Sequence, residues 1–203
     1  MLKISATQLE AYRRFIDGWI SVGQFERSLL RLDSPNDKML KGTLFHEMLQ
    51  ASDPIPFRSD FSAECIRNAR AQMDYRNSIF EYKARKIYQT GKGQIAVTGI
   101  ADQLIGYDVV EIKTRYSPFE FESYMNSLQW RVYCELFHAD MVHYKVFEFD
   151  SPEADNYKSY TGFALQRPFG NHDHVRNYVG YLHEYIIVRG LDKEPVLQLK
   201  ERL

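Results

Sequence analysis

Apolar positions near the start of the chain recur at helical spacing. Leu9, Tyr12 and Ile16 follow Ser5, and Ser5 with Gln8 has the spacing of a capping box, so a first helix is expected to begin at Ser5. Residues 33–37, DSPND, read as a turn. A second helix is expected from about Lys41 to Gln50, with Leu44, Phe45 and Met48 facing inward, and DPIPF at 53–57 ends it. Residues 60–78 read as a third helix. The period then changes from 3.6 to 2. Residues 80–89 and 94–105 are rich in β-formers and flank Thr90-Gly91-Lys92-Gly93, a hairpin signal. Residues 108–114, DVVEIKT, predict another strand. A long helix is expected from about Pro118 to His138, then strands at 142–149 and 157–165 around the turn SPEADN. A last helix is expected from about Asn171 to Arg189, with an exposed tail after it. This order predicts an α/β fold in which helices surround a mixed sheet. The length fits one domain over 1–203: a helical N-terminal part at 1–78, a sheet with its long helix at 79–165, and a C-terminal helix and tail at 166–203.

Composition adds limits. The apolar share of 44% is enough to build a core, so disorder is not expected over most of the length. The net charge of −1 is not that of a protein binding nucleic acid with its whole surface; such contact needs local clusters or a bound metal. Cys65 and Cys134 are far apart, form no zinc pattern, and cannot supply the four thiolates of an iron–sulfur cluster. They are expected as reduced, buried thiols. The N-terminal MLKISATQLEAYRRF has no apolar signal-peptide core and no run suits a bilayer span, so a soluble, cytoplasmic protein is expected.

The candidate chemistry comes from counting outward from one turn. Ile105-Gly106-Tyr107-Asp108 reads as a two-residue hairpin turn, with Gly106 supplying positive φ. Ile105 then pairs with Asp108, Leu104 with Val109, and Asp102 with Glu111. Opposed residues share a face, with Cβ atoms about 4.5–5.5 Å apart. Lys113, two residues on, points to that face. Ile100, Leu104 and Val109 complete it, while Ala101, Ile105, Val110 and Ile112 make the other, so the sheet is expected to be covered on both sides. Two carboxylates in an apolar setting repel each other and are costly to desolvate, and a divalent cation removes both problems. Such an ion would bind a phosphate and lower the pKa of an attacking water, with Lys113 orienting or deprotonating that water. The alternative is a plain salt bridge on a half-exposed strand. Glu81-Tyr82-Lys83 repeats the Glu-x-Lys tripeptide, so the tripeptide alone does not decide.

Asp102 followed by Glu111-Ile112-Lys113 resembles the PD-(D/E)XK nuclease signature. The accompanying pieces resemble its RecB-type, phage-exonuclease-like branch. Ser5–Tyr12 looks like that branch's opening helix, Gly42-Thr43-Leu44-Phe45-His46 like its Gly-x-x-x-His helix, and Gly99-Ile100-Ala101-Asp102 like its Gly-x-x-Asp strand. Gln129-Trp130-Arg131-Val132-Tyr133 resembles its Gln-x-x-x-Tyr helix. The pieces stand in the family's order over roughly residues 5–135. The resemblance implies a restriction-endonuclease-like core and a Mg²⁺- or Mn²⁺-dependent deoxyribonuclease. Its catalytic set would be Asp102, Glu111, Lys113, Gln129 and Tyr133. Its metal ligands would be His46, Asp102, Glu111 and the Ile112 carbonyl, with Glu81 beside a second metal or its waters. Each has a bland counterpart: His46 as a packed histidine, Gln129 and Tyr133 as a polar pair, Glu81 as a solvated strand residue. Where many members of this branch carry Cys-Pro after the opening helix, this chain reads Arg13-Arg14-Phe15, so no iron–sulfur cluster is expected.

DNA is the implied partner. The basic groups are Lys83, Arg85, Lys86 and Lys92, with Tyr82 and Tyr88 interleaved; Arg67, Arg70 and Arg76; and Arg13 and Arg14. Each cluster also fits a solvated face. Asn171-His172-Asp173-His174 reads as the cap of the last helix in preference to a second metal site. No Gly-rich phosphate loop is present, so no helicase motor is expected within the chain. The leading expectation is an exonuclease for recombination or repair, of bacterial, phage or mobile-element type. The alternatives are an endonuclease or nuclease subunit working with a helicase, recombinase or single-strand-binding protein, and an inactive nuclease fold that only binds DNA.

Overall fold

The computed structural model describes residues 1–51 and 60–199. The expected turn DPIPF at 53–57 lies outside the described residues. Ser5 caps the first helix, α1 (Ala6–Ile16), through both bonds of the capping box. Leu9 and Tyr12 are buried, whereas Ile16 stays exposed. The expected second helix, here α3 (Asp37–Gln50), starts earlier than Lys41 because Asn36, within the expected turn, caps it through the Met39 amide. Phe45 and Met48 are buried, with Leu44 half-buried. Between them lies α2 (Val22–Leu29), which the sequence pattern did not suggest, although Ser21 and Gln24 repeat the capping box.

The expected helix at 60–78 is shorter. It is α4 (Ala63–Arg70), capped by Ser62. Its last residue and the loop beyond it tie down the end of α3: Arg70 donates to the Ala51 carbonyl at 2.6 Å and the Tyr75 hydroxyl to the Leu49 carbonyl at 2.7 Å. The expected helix from Pro118 to His138 is broken into α5 (Phe121–Met125) and α6 (Gln129–Phe137). At the break the Glu10 carboxylate accepts the Leu128 amide at 2.6 Å and the Ser127 hydroxyl at 3.1 Å, and the Ser127 hydroxyl accepts the Gln129 amide at 3.1 Å, where the fresh helix begins. The last helix, α7 (Asn171–Val188), falls as expected. The tail after it is not simply exposed: Leu197 is fully buried, and Gln198 bridges to Leu2.

Six strands form one mixed sheet. They are β1 (Leu2–Ser5), β2 (Ser78–Thr90), β3 (Gly93–Ile105), β4 (Asp108–Arg115), β5 (Met141–Glu148) and β6 (Ser159–Gln166). The meander β2-β3-β4 is antiparallel, β4 and β5 are parallel, and β6 returns antiparallel on β5. Only β1 was unforeseen, and it pairs parallel with β3. β2 follows β3 along its length, while the other edge of β3 is shared: β1 takes residues 95–98 and β4 takes 103–105. Residues 99–102 are left facing a gap between those two strands.

Both faces of the sheet are covered, as expected. Val109, Val142, Tyr144 and Val146 pack with α1, α2, α6 and α7 in the larger cluster. Ile112, Phe147 and Phe149 pack with Phe45 and Ile66, from α3 and α4, in the smaller one. Period-two alternation along β4 and β5 sorts these side chains between the layers. Glu111 and Lys113 share the parity of Val109 and so face the α6 layer.

Candidate active site

The expected register holds for Ile105 with Asp108 and Leu104 with Val109 and runs on to Gln103 with Val110; the ladder ends there, so Asp102 and Glu111 stand at the next position without forming the expected pair. The ladder stops there because a side chain replaces the backbone partner. Asp102 Oδ2 accepts the Ile112 amide at 2.7 Å, and Oδ1 lies 3.5 Å from His46 Nδ1 on α3. In an extended strand a residue's N–H and C=O leave on the same edge, so the Ile112 carbonyl also faces the gap. The Glu111 side chain is 1% exposed. Its Oε2 accepts from Lys113 Nζ at 2.6 Å, while its buried Oε1 has no hydrogen-bond partner among the described residues.

The electrostatics follow from this packing. Burial raises the Glu111 carboxyl, and the Asp102 charge adds to that; Lys113 opposes both, and the carboxyl ends pushed up to about 8. Burial also raises Asp102, but the His46 hydrogen bond, the Lys113 charge and the Ile112 amide bring it below its ordinary value. Burial alone would lower Lys113, yet the two carboxylates hold its ammonium well above the usual lysine range. The surroundings thus favour the ionised form of Asp102 and disfavour that of Glu111, the pattern of two neighbouring carboxylates facing one ammonium.

Gln129 and Tyr133 lie one turn apart on α6. Gln129 Nε2 donates to the Tyr133 hydroxyl at 2.9 Å, and that hydroxyl donates to the Ile100 carbonyl in the gap at 3.2 Å. Burial pushes the Tyr133 phenol up, keeping it a neutral donor. Glu81 sits on β2 between the bridges Phe80–Gln103 and Tyr82–Ala101, beside Asp102. Its φ of 52° is unusual for a residue other than glycine, and its carboxylate accepts from Gln50 on α3 at 3.0 Å. A cleft of about 340 Å³ opens beside Lys113, with Gln129, Ser127, Arg14, Arg115 and Trp19 around it.

Two motif glycines have a packing reason. A Cβ on Gly42 would stand 2.8 Å from Thr114 Oγ1 of β4, and one on Gly99 would stand 2.6 Å from Leu136 Cδ1 and 3.0 Å from Tyr133 Cε1. Their absence lets α3 and α6 bring His46 and Tyr133 close to the sheet.

Several expected DNA contacts are engaged elsewhere. Arg13 is buried between Glu10 and Asp17, Arg70 holds the end of α3, and Lys86 binds Glu135 at 2.7 Å. Tyr88 is buried and cannot stack on a base. Arg14, Arg67, Arg76, Lys83, Arg85 and Tyr82 remain exposed. Asn171 does not cap α7: Gly170 occupies the cap, and Asn171 and His172 instead donate toward Glu135 at 3.1 and 2.9 Å. Cys65 and Cys134 are free and buried, as expected. Glu10, Trp19 and Arg115 were not singled out from sequence. Glu10 carried one signal, its i,i+3 spacing to Arg13.

Among the described residues no set of three His, Cys, Asp or Glu side chains stands in a metal-holding arrangement, and no helix is long and apolar enough to cross a membrane. The sequence matches no protein-family model and no curated protein. Its fold does match solved structures. A phage-related exonuclease from Haemophilus somnus aligns with TM-score 0.54 and 12% identity over 93% of this chain and 96% of that one. LHK-Exo, an alkaline exonuclease from Laribacter hongkongensis, solved in complex with dAMP, aligns with TM-score 0.52 and 15% identity over 95% and 92%. A putative exonuclease from Eubacterium rectale aligns with TM-score 0.53 and 10% identity over 95% and 82%. At these identities the likeness is one of fold: the chain has the mixed α/β fold of phage-related exonucleases, as the resemblance implied.

Proposed function

We propose that this chain is a divalent-metal-dependent deoxyribonuclease that hydrolyses phosphodiester bonds from DNA ends, serving recombination or repair. The observation that carries the reading is the mutual proximity of Asp102, Glu111 and Lys113 where the ladder between β3 and β4 ends, with the buried Glu111 Oε1 left without a partner among the described residues. A buried carboxylate oxygen without a partner costs about 1–3 kcal/mol, more if charged, and a cation offsets that cost. Mg²⁺ or Mn²⁺ suits the donor set: two carboxylates, the Ile112 carbonyl and the His46 imidazole, with Glu81 beside them. The exonuclease fold of the solved relatives supports the same reading.

Bound there, the ion would supply Lewis acidity toward the phosphate and a more acidic water. The protein supplies the rest. Asp102 and Glu111, carried on adjoining strands of the sheet, would hold the ion. Lys113, kept cationic by both acids, holds the attacking water and screens charge developing on the phosphate. Tyr133 and Gln129 form a fixed donor chain at the gap, and Gln129 reaches into the cleft. Arg14 and Arg115 on the same cleft offer sequence-independent phosphate contacts.

The test is cleavage of end-labelled linear and circular DNA, single- and double-stranded, with Mg²⁺, with Mn²⁺ and with EDTA. Linear DNA should be degraded with either metal and spared in EDTA. Asp102→Ala and Lys113→Ala should each lower the rate at least a hundredfold while leaving the circular dichroism spectrum unchanged (about 3 kcal/mol or more of transition-state stabilisation). Near-wild-type rates in either variant would overturn the assignment.

A further inference from the structure

Of the two tryptophans, Trp130 is 3% exposed and Trp19 is 55% exposed. Trp19 borders two adjoining clefts. One holds Lys113 and Gln129; the other, about 290 Å³, runs past Leu128 and Arg131 to Tyr178. Arg13, Trp19 and Ser127 belong to both, so the indole stands where one cleft passes into the next.

The backbone of this exposed residue is fixed, and its ring has one charged neighbour. Helix α1 ends on Gly18, whose φ is 76°; the Gly18 amide donates to the Phe15 carbonyl at 3.0 Å and the Trp19 amide to the Arg14 carbonyl at 2.9 Å. Those are the two bonds of a Schellman ending, and they fix the Trp19 backbone. The Arg13 guanidinium lies 4.6 Å from the ring centroid. Arg13 is itself held by Glu10 at 2.9 Å and Asp17 at 2.5 Å. Glu10 also caps α6 through the Leu128 amide. The indole is thereby tied, through Arg13 and Glu10, to the helix that carries Gln129 and Tyr133. An indole with its backbone fixed, one face against Arg13 and more than half its surface exposed is placed to receive a flat partner.

We infer that Trp19 is a stacking platform for an unpaired nucleobase of the DNA strand whose phosphates lie in the cleft beside Lys113, an assignment that rests on the nuclease reading. Arg14 and Arg115 stand on that cleft as phosphate partners, and an indole at its edge meets the base attached to such a backbone. A base inside a duplex has both faces covered by its neighbours, so the occupant is a base of single-stranded DNA or of a strand end that has come unpaired. Stacking uses the π-face common to all four bases, so this subsite selects for single-strandedness and not for sequence.

Trp19 also provides the readout, since its indole is the exposed one. The wild-type protein is titrated with a twelve-nucleotide single-stranded oligonucleotide and with the same oligonucleotide carrying abasic residues in its terminal half, in EDTA and again with Ca²⁺. Fluorescence quenching follows the indole, and anisotropy of a labelled strand gives the affinity. The base-bearing strand should quench the emission and the abasic one should not. Trp19→Ala should weaken binding of the base-bearing strand about tenfold, the loss of one stacked base. It should leave the abasic strand unaffected, and Trp19→Phe should restore most of the difference. Equal quenching by both strands, or a Trp19→Ala variant that binds both as the wild type does, overturns the stacking subsite. If that result comes with normal metal-dependent cleavage, the nuclease reading stands without it. Wild-type protein that neither binds nor cuts DNA overturns both.

Discussion

Glu111 and Lys113 illustrate how a single ion pair differs from a site. Alone, a carboxylate and an ammonium 2.6 Å apart would satisfy each other. Asp102 changes this, because its charge adds to the burial that already raises Glu111, and one lysine then serves two acids. The other Glu-x-Lys tripeptide is built differently: Glu81 is exposed and turned toward Gln50, and Lys83 forms no ion pair among the described residues. The count outward from Gly106 separated the two from sequence, because a turn with φ of 62° at Gly106 sets the register of every residue behind it. Glu10 and Trp19 could not be found that way, since their roles depend on contacts made across the fold. His46 is the residue whose role is most open to test. It meets Asp102 from the other layer of the protein, and a ligand there would set metal affinity more than chemistry. His46→Ala should therefore raise the Mn²⁺ concentration giving half-maximal cleavage by about tenfold, with activity recovered at high metal. An unchanged metal titration would leave His46 as a packing residue.

Long periodic elements were legible, and elements made by distant contacts were not. The hairpin of β2 and β3 declares itself by alternation around Gly91-Lys92, and α1 by its capping box. By contrast, β1 has four residues and exists because β3 lies beside it. The break between α5 and α6 is marked locally only by Ser127, whose hydroxyl accepts the Gln129 amide at 3.1 Å, while the carboxylate that holds Ser127 and Leu128, on Glu10, is 117 residues away in sequence. Glycine at 99 was legible as part of a motif, but its reason is spatial: α6 lies too close to β3 for a side chain there. Gly99→Ala should thus act on the element as a whole. Its Cβ would press on Tyr133 and Leu136, pushing α6 off the strand at a cost of about 1–3 kcal/mol. The expected readout is a melting temperature several degrees lower together with a cleavage rate reduced beyond what the lost stability explains, because Tyr133 moves with the helix. A variant with wild-type activity and melting temperature would show that α6 has room to give.

At the scale of the molecule, the candidate site lies on one side of α6 and a second charged cluster lies behind it. Glu135, 1% exposed, accepts from Lys86 on β2 at 2.7 Å, from Arg167 after β6 at 2.8 Å, and from Asn171 and His172 on α7 at 3.1 and 2.9 Å. One carboxylate thereby joins the long hairpin, the far edge of the sheet and the last helix to the helix bearing Gln129 and Tyr133. Burial works against its ionisation, but the hydrogen bonds from Lys86, His172 and Asn171 outweigh it and bring the carboxyl down to about 2, from an ordinary 4.5. A carboxylate whose folded value is depressed adds stability that is fully present above its unfolded value and is lost as pH falls through its folded one. The window is therefore about pH 4.5 down to 2. Because Lys86, Arg167 and His172 are partly exposed, screening reduces the contribution at neutral pH to about 2 kcal/mol. Glu135→Gln keeps the shape and removes the charge, leaving four donor groups, Lys86 and Arg167 among them, around a neutral amide. Urea unfolding should show the variant less stable than the wild type by about that amount at pH 7, with the gap narrowing below pH 4.5. A difference that stays constant to the lowest pH at which both proteins remain folded would mean that the cluster holds α6 by packing and not by charge.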